Sequence, residues 1–203
     1  MATLKHTNRL RRVPLLTRAI CEALDTQEIR RLCRYLSLSP YDDVALDYNN
    51  EFVEQPELFD SLLIDAIRDK KISKGAEKQV IIPQRFTGSI LTDKCMTIFV
   101  YCSDVVPVYN TINLDYYFKV QICYPLPVEP LEDFKSRPWE IASWLEDNID
   151  GMSPSCEYIK ELGNITFTMT NDIINGKLAN NSEIGVLTVP IRVRVVGTKD
   201  MKF

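Results

Sequence analysis

Apolar positions at helical spacing mark the amino-terminal part of the chain. Residues 13–24 place Leu16, Ile20 and Leu24 on one face, which predicts a helix. A capping-box variant, Asp25 followed by Glu28, predicts a second helix that ends near residue 36. Residues 1–12 lack an apolar period, so we expect a flexible basic arm followed by a helical hairpin.

Residues 37–52 are polar and acidic, and they predict a connector. Pro56 then stands where a first-turn proline is favourable, and residues 57–69 carry a regular apolar stripe. This pattern predicts an amphipathic helix. A later helix is predicted over residues 138–149, starting at Pro138 and ending before Gly151.

Extended segments alternate apolar and polar positions at period two. Residues 94–103 are apolar on both faces, which predicts a central strand. Pro190 predicts that the last segment lies at an edge or a bulge, with Val189 and Val193 inside and Arg192 and Arg194 outside. The predicted strands are residues 80–82, 94–103, 115–124, 164–170 and 186–196.

This order of elements predicts an α+β fold, in which two helices pack on a mixed or antiparallel sheet and an amino-terminal helical hairpin forms an extension. We expect residues 1–53 to be the basic arm, hairpin and acidic connector, and residues 54–203 to be the α+β domain. The hairpin is placed outside the core of that domain. A chain starting near residue 50 is therefore predicted to stay folded but to assemble less well.

The composition is that of a globular protein, with 45% hydrophobic and 26% charged residues. No apolar run approaches the ~18–20 residues that a membrane span needs, so we expect a soluble, intracellular protein without membrane contact. Six cysteines occur without a CxxC pair, which predicts reduced, buried thiols. They are Cys21, Cys33, Cys95, Cys102, Cys123 and Cys156.

The net charge of −4 conceals two blocks of opposite sign. Residues 1–37 hold eight basic and three acidic residues, a net charge of +5, and residues 41–69 hold one basic and nine acidic residues, a net charge of −8. Such blocks favour either screening within one subunit or head-to-tail contact between copies. The subunit-interface candidates are Arg11, Arg12, Arg18, Arg30, Arg31, Arg34, Asp42, Asp43, Asp47, Arg192 and Arg194.

The residues do not favour an enzyme. His6 is the only histidine and lies in the predicted arm, whereas nucleophile–His and His–metal sites need an oriented imidazole. No glycine-rich phosphate loop is present. An EF-hand counted from Asp47 has Phe52 and Leu58 where Gly and Glu are needed. We therefore expect no catalytic residue, metal or cofactor.

Nucleic-acid binding is the alternative from a different class. The candidate phosphate contacts are Lys5, Arg9, Arg11 and Arg12, which would give salt-dependent and sequence-independent affinity. The acidic character of the whole chain is unlike that of a dedicated binder. DNA contact is therefore expected only as a passive, accessory role of the basic amino-terminal region.

From residue 57 onward the chain is predicted to form a helix, three strands, a second helix and two closing strands, namely residues 57–69, 80–82, 94–103, 115–124, 138–149, 164–170 and 186–196. This order of elements resembles that of the tail terminator and neck proteins of tailed bacteriophages. The resemblance is architectural and covers about three quarters of the chain. It implies a non-enzymatic virion protein, assembled in the host cytoplasm, whose copies form a ring that connects head to tail or terminates the tail. Its implied partners are other copies of itself and the neighbouring portal, adaptor or tail proteins.

Overall fold

A computed structural model describes residues 9–34, 40, 44–46, 52–54, 80–85, 96–108, 113–151, 164–178 and 181–196. The helices in these ranges are α1 (Arg9–Leu24), α2 (Gln27–Arg34) and α3 (Arg137–Ile149). The strands are β1 (Val44–Leu46), β2 (Phe52–Glu54), β3 (Ile81–Ile82), β4 (Thr97–Pro107), β5 (Leu114–Pro125), β6 (Asn164–Met169), β7 (Ile174–Leu178) and β8 (Asn181–Val196). Two short 3-10 turns, Leu126–Val128 and Glu132–Phe134, lie between β5 and α3.

Six of the described strands form one mixed sheet in the order β3-β4-β5-β8-β6, and β7 pairs with β8 beside β6. The β3–β4 pair is parallel, and the other pairs are antiparallel. β1 and β2 form a separate antiparallel pair. The α+β class and the mixed sheet are therefore confirmed, and β4 lies inside the sheet, as its two apolar faces predict.

The main core lies on one face of the six-stranded sheet, and a smaller buried cluster of Ile82, Phe99, Cys123 and Ile184 lies on the other. Alternate residues of β5 and β8, such as Phe118, Val120, Val189 and Val193, are fully buried in the main core because side chains of a strand point to opposite faces in turn. The buried residues of α1, α2 and α3 belong to this same cluster. None of the described helices is long and apolar enough to cross a lipid bilayer.

The prediction that the helical hairpin lies outside the core is wrong. Leu16 and Leu24 of α1 and Ile29 of α2 are all 0% exposed and pack in the main cluster with the sheet. Short isolated helices are marginal in water, so their apolar faces need such a partner. The domain boundary near residue 53 stays a prediction, and the predicted helix over residues 57–69 lies outside the described residues.

The start of α2 differs from the predicted capping box. Thr26 is the capping residue, because its Oγ1 accepts a hydrogen bond from the Ile29 N–H at 3.4 Å. Asp25 instead accepts two hydrogen bonds from Arg30, at 2.8 and 2.9 Å. Asp25 and Glu28 have the spacing of a capping box, but Thr26, which lies between them, occupies the capping position.

Of the two predicted places for Pro190, an edge or a bulge, the edge is wrong, because β8 pairs with β5 on one side and with β6 and β7 on the other. The Pro190 carbonyl accepts a hydrogen bond from Thr170 N–H at 3.1 Å. The missing N–H of Pro190 faces the same side, where β6 has ended and β7 has not begun. A gap between two strands thus accommodates the proline inside the sheet.

α3 is tied to the sheet at its end. The Asp150 carboxylate accepts a hydrogen bond from the Met169 N–H at 2.7 Å, and the Gly151 N–H donates to the Phe167 carbonyl at 2.8 Å. Gly151 has a φ of 69°, the left-handed conformation that favours glycine after a helix. The predicted end of this helix before Gly151 is confirmed.

Tyr124 crosses over β8 and fixes the β7–β8 ribbon. Its hydroxyl donates to Asn175 Oδ1 at 3.3 Å, and its ring covers Gly185, its partner across the β5–β8 pair. A Cβ on Gly185 would overlap this ring, whereas a Cβ on Gly176 would meet no atom within 4 Å. Glycine at position 185 is therefore a packing requirement.

We expect Gly185→Ala to lower the free energy of unfolding by about 1–3 kcal/mol, because the Tyr124 ring must leave its place. Gly176→Ala, on the adjacent strand, is the matched control and should change it by less than about 0.5 kcal/mol. Urea denaturation of both variants measures the difference. Equal stability of the two variants would contradict this description of the ribbon.

Candidate interaction surface

The face of the sheet opposite the helices bears a second buried apolar cluster, which includes Phe99 and Cys123. Next to this cluster the same face carries polar and charged side chains, and we call this polar part the outer face. In the described part of the chain, no helix packs on it. Within it, β8 places Arg192 between Tyr117 of β5 and Thr168 of β6, and Arg194 between Asp115 and Thr166. The predicted inside and outside positions of β8 are therefore confirmed. The outer face comprises Asp115, Tyr117, Lys119, Gln121, Thr166, Thr168, Thr188, Arg192 and Arg194.

Arg194 and Asp115 form a bidentate ion pair across β5 and β8. Arg194 Nε and Nη2 each donate to a carboxylate oxygen of Asp115 at 2.7 Å. The Asp115 side chain is 8% exposed and the Arg194 side chain 38%, so the carboxylate lies beneath the guanidinium. The hydrogen bonds and charge of Asp115 raise the pKa of Arg194, which stays cationic at any working pH. The pair fixes one positive side chain on the outer face.

Arg192 differs from Arg194 in its hydrogen bonding. Its Nε is buried and, among the described residues, has no hydrogen-bond partner. A buried donor without an acceptor is uncommon, since it loses its bonds to water without replacement. The neighbouring side chains by register are Tyr117 and Thr168. Arg192 Nε is therefore a buried donor without an acceptor on this face in the part of the chain that the structure describes.

The arginine candidates of α1 and α2 differ in their exposure and in their ion-pair partners. Arg18 is exposed and pairs with Glu22 at 2.6 Å. Arg30 is only 17% exposed in its side chain and is held by Asp25. Arg11 is exposed and Arg31 is half-buried. Arg18 and Arg11 are thus the surface-accessible members of this group.

Arg12 cannot serve either role predicted for it. Helix α1 begins at Arg9, earlier than the predicted arm allows, and the Arg12 side chain is 1% exposed. It therefore reaches neither a phosphate nor a neighbouring subunit. The remaining candidates lie outside the described residues, namely Lys5, Asp42, Asp43, Asp47 and the side chains of Arg9 and Arg34.

The described cysteines are free thiols, and three of the four are buried. Desolvation raises the pKa of Cys21 in α1 and of Cys123 in β5 to about 12. Burial also raises the pKa of Cys102, which is half-buried. Because thiolates are the nucleophilic form, Cys21 and Cys123 are chemically quiet at neutral pH. Cys95 and Cys156 lie outside the described residues.

These thiols predict a loss of stability in alkali. The folded-state pKa of Cys123 lies above its unfolded value near 9.0. The stability that the folded protein gains from keeping this thiol protonated is therefore fully present below pH 9 and is lost as the pH rises towards 12. We expect Cys123→Ala to flatten the decline in the free energy of unfolding above pH 9 by up to about 1.4 kcal/mol per pH unit. Denaturation at several pH values measures the slope, and an unchanged slope would contradict the raised pKa.

The sequence pattern predicts Arg192 and Arg194 on this face but not the pairing of Arg194 with Asp115. The ion pair depends on the register of two strands 79 residues apart, for which the alternation gave no signal. Within the described residues, no group of three His, Cys, Asp or Glu side chains is arranged to hold a metal. A scan of protein-family models and a search of curated proteins each find no match to this chain.

Proposed function

We propose that the protein is a non-enzymatic structural subunit that assembles with copies of itself into a ring in the neck or tail of a tailed bacteriophage. The order of its elements supports this function. Strands β3, β4 and β5, then α3, then β6 and β8 follow one another in the order of the resemblance, whose first helix, predicted over residues 57–69, lies outside the described residues. In this proposal the subunit is made in the host cytoplasm and ends in the virion, beside portal, adaptor or tail proteins.

The observation that carries the proposal is the charged outer face. A sheet of this size normally buries one face and leaves the other to water or to a partner. Here the face opposite the core holds the buried Nε of Arg192 without an acceptor and the oriented guanidinium of Arg194. Arg192 is half-buried, so the part of its side chain that stays exposed can pair with a carboxylate of a neighbouring molecule in a charge-assisted contact.

The occupant that we propose for the outer face is the acidic segment 41–69 of an adjacent copy. Its net charge of −8 complements Lys119, Arg192 and Arg194, beside which Asp104 and Asp115 lie on the same side of the sheet. Contact between two different surfaces of the same chain is heterologous, and it closes into a ring when the rotation between copies allows. The charge blocks thus match head-to-tail assembly.

Light scattering coupled to size exclusion tests the proposal. The wild-type protein should elute with several times the protomer mass, and Arg192→Asp should dissociate it while leaving the thermal transition unchanged. Lys177→Asp, a charge reversal at an exposed position of β7, is the matched control and should not affect the mass. A wild-type monomer at all concentrations would reject self-assembly, and equal mass for Arg192→Asp would reject the role of the outer face.

Nucleic-acid binding stays the alternative, and the exposed Arg11 is the described residue that favours it. A phosphate binder loses affinity steeply with salt. Titration of duplex DNA at several salt concentrations should therefore give weak binding if the chain is a ring subunit. Tight binding that Arg11→Glu reduces would favour the alternative instead.

A further inference from the structure

A fully exposed aromatic side chain stands between β5 and α3. Phe134 has a relative exposure of 106%, the highest of the large apolar side chains described, and Trp139 in the first turn of α3 is 43% exposed. Single apolar residues on a surface need no explanation, but an aromatic ring held wholly in water loses all of its burial energy. Phe134 is therefore a candidate contact residue for a partner molecule.

The backbone at this position adopts an uncommon conformation. Asp133 and Phe134 have φ values of 58° and 61°, and neither is glycine. Aspartate tolerates the left-handed region, but a bulky aromatic residue there is a conformational outlier. Strain of this kind persists only where the surroundings impose it, and it concentrates at functional positions. The turn directs Phe134 outward at a conformational cost.

The surroundings do impose this conformation. The turn is closed by hydrogen bonds from Leu131 N–H to the Lys135 carbonyl at 3.0 Å and from Lys135 N–H to the Glu132 carbonyl at 3.3 Å. Behind it, the buried Arg137 donates from Nη1 to the Leu32 carbonyl at 2.7 Å and from Nε to the Val128 carbonyl at 3.0 Å. The loop is thus anchored to the core, and its aromatic tip is pre-organised.

We propose that Phe134 is an anchor residue that docks on a second copy of this chain, at the exposed start of α1 around Leu10 and Arg11. Leu10 is 62% exposed and Arg11 is exposed beside it. Glu132 and Asp133 precede Phe134, and Lys135, which follows it, lies 4.0 Å from the carboxylate of Glu140. An acidic tip with an apolar centre thus meets a basic surface with an apolar centre. This inference rests on the proposed self-assembly and identifies a contact within it.

The positions of the two surfaces suit side-by-side copies. α1 packs against β3, β4 and β5, at one end of the sheet, whereas α3 packs against β6 and β8, towards the other. The Phe134 turn immediately precedes α3. The acidic tip and the basic helix start therefore belong to helices that pack over different strands of the sheet, and contact between two different surfaces of copies is heterologous.

The first test compares Phe134→Ser with Ile174→Ser, a matched control at another exposed apolar residue, 61% exposed in β7. We expect Phe134→Ser to weaken self-association at least about 10-fold, as loss of an aromatic anchor does, with an unchanged thermal transition. Ile174→Ser should assemble as the wild type does. Assembly of Phe134→Ser at wild-type strength would overturn the inference while the proposed function stands, and a monomeric wild type would overturn both.

The second test identifies the occupant by charge exchange. Glu132→Lys and Arg11→Glu should each weaken self-association, and the double variant should recover most of it because the opposite charges face each other again. Sedimentation equilibrium at low salt measures all three. Loss of assembly without recovery in the double variant would overturn the docking of Phe134 at the start of α1.

Discussion

A chain that begins at residue 50 is expected not to fold. Such a chain lacks α1 and α2, whose apolar faces complete the main core. At about 1.5–3 kcal/mol for each fully buried aliphatic side chain, five of them stabilise the fold by roughly 7–15 kcal/mol. That is as large as the whole stability of a typical domain, about 5–15 kcal/mol. The five are Leu16, Ile20, Leu24, Ile29 and Leu32.

Circular dichroism during heating measures this effect, and the shortened chain should show no cooperative transition. A single substitution gives a milder version of the test. Ile20→Ser should lower the free energy of unfolding by several kcal/mol, whereas Leu10→Ser on the same helix should change it little because Leu10 is exposed. A shortened chain that melts as the wild type does would show that the hairpin is dispensable, as the sequence alone predicted.

Val193→Asp is expected to have the second largest effect on folding. Val193 is 0% exposed near the carboxyl end of β8, in the same buried cluster as the helices. Loss of its burial and introduction of an unpaired carboxylate together cost roughly 3–6 kcal/mol, which is sufficient to prevent soluble expression of a marginally stable protein. Val189→Asp should behave in the same way, because it shares the same face of the strand.

Arg192→Asp, one residue away on the outer face, is the matched control for Val193→Asp. It should leave the monomer soluble and folded, since its side chain points away from the core. Soluble yield and urea denaturation of the variants distinguish the two faces. Equal insolubility of Val193→Asp and Arg192→Asp would contradict the assignment of the faces.

The strongly periodic elements could be predicted from sequence. β5, β8 and α3 each bury one regular face, so their apolar positions repeat at the period of the element. β7 was missed because Ile174, Asn175, Gly176 and Lys177 are all exposed, and a strand without a buried face has no alternation. β1 and β2 fell in the predicted connector for a related reason, since acidic and short segments carry little periodic signal.

Amphipathicity identified the hairpin but not its partner. The apolar pattern of α1 and α2 indicates that one face of each helix is covered. Coverage by the sheet of the same chain and coverage by a neighbouring subunit would give the same pattern. The choice depends on tertiary packing, such as the 2.7 Å hydrogen bond from Arg137 to the Leu32 carbonyl that joins α2 to the start of α3. A lone arginine at a predicted helix start gives no sign of this contact.

Sequence predicts which residues share a face of a strand, but not which side chains pair across strands. Period-two alternation places Arg192 and Arg194 on one face, and the structure confirms it, but the pairing of Arg194 with Asp115 follows from strand register. Phe134 carried no signal, because a positive φ at a non-glycine residue cannot be read from residue type. Asp133 alone hinted at it, since aspartate tolerates that conformation better than most residues.

The central claim is that copies of this chain assemble into rings, and electron micrographs of the purified full-length protein at neutral pH and low salt test it most directly. Ring assembly predicts closed particles of uniform diameter with a central channel. Fields without closed particles, from a preparation whose mass by light scattering is the 23.4 kDa of one protomer, would contradict it.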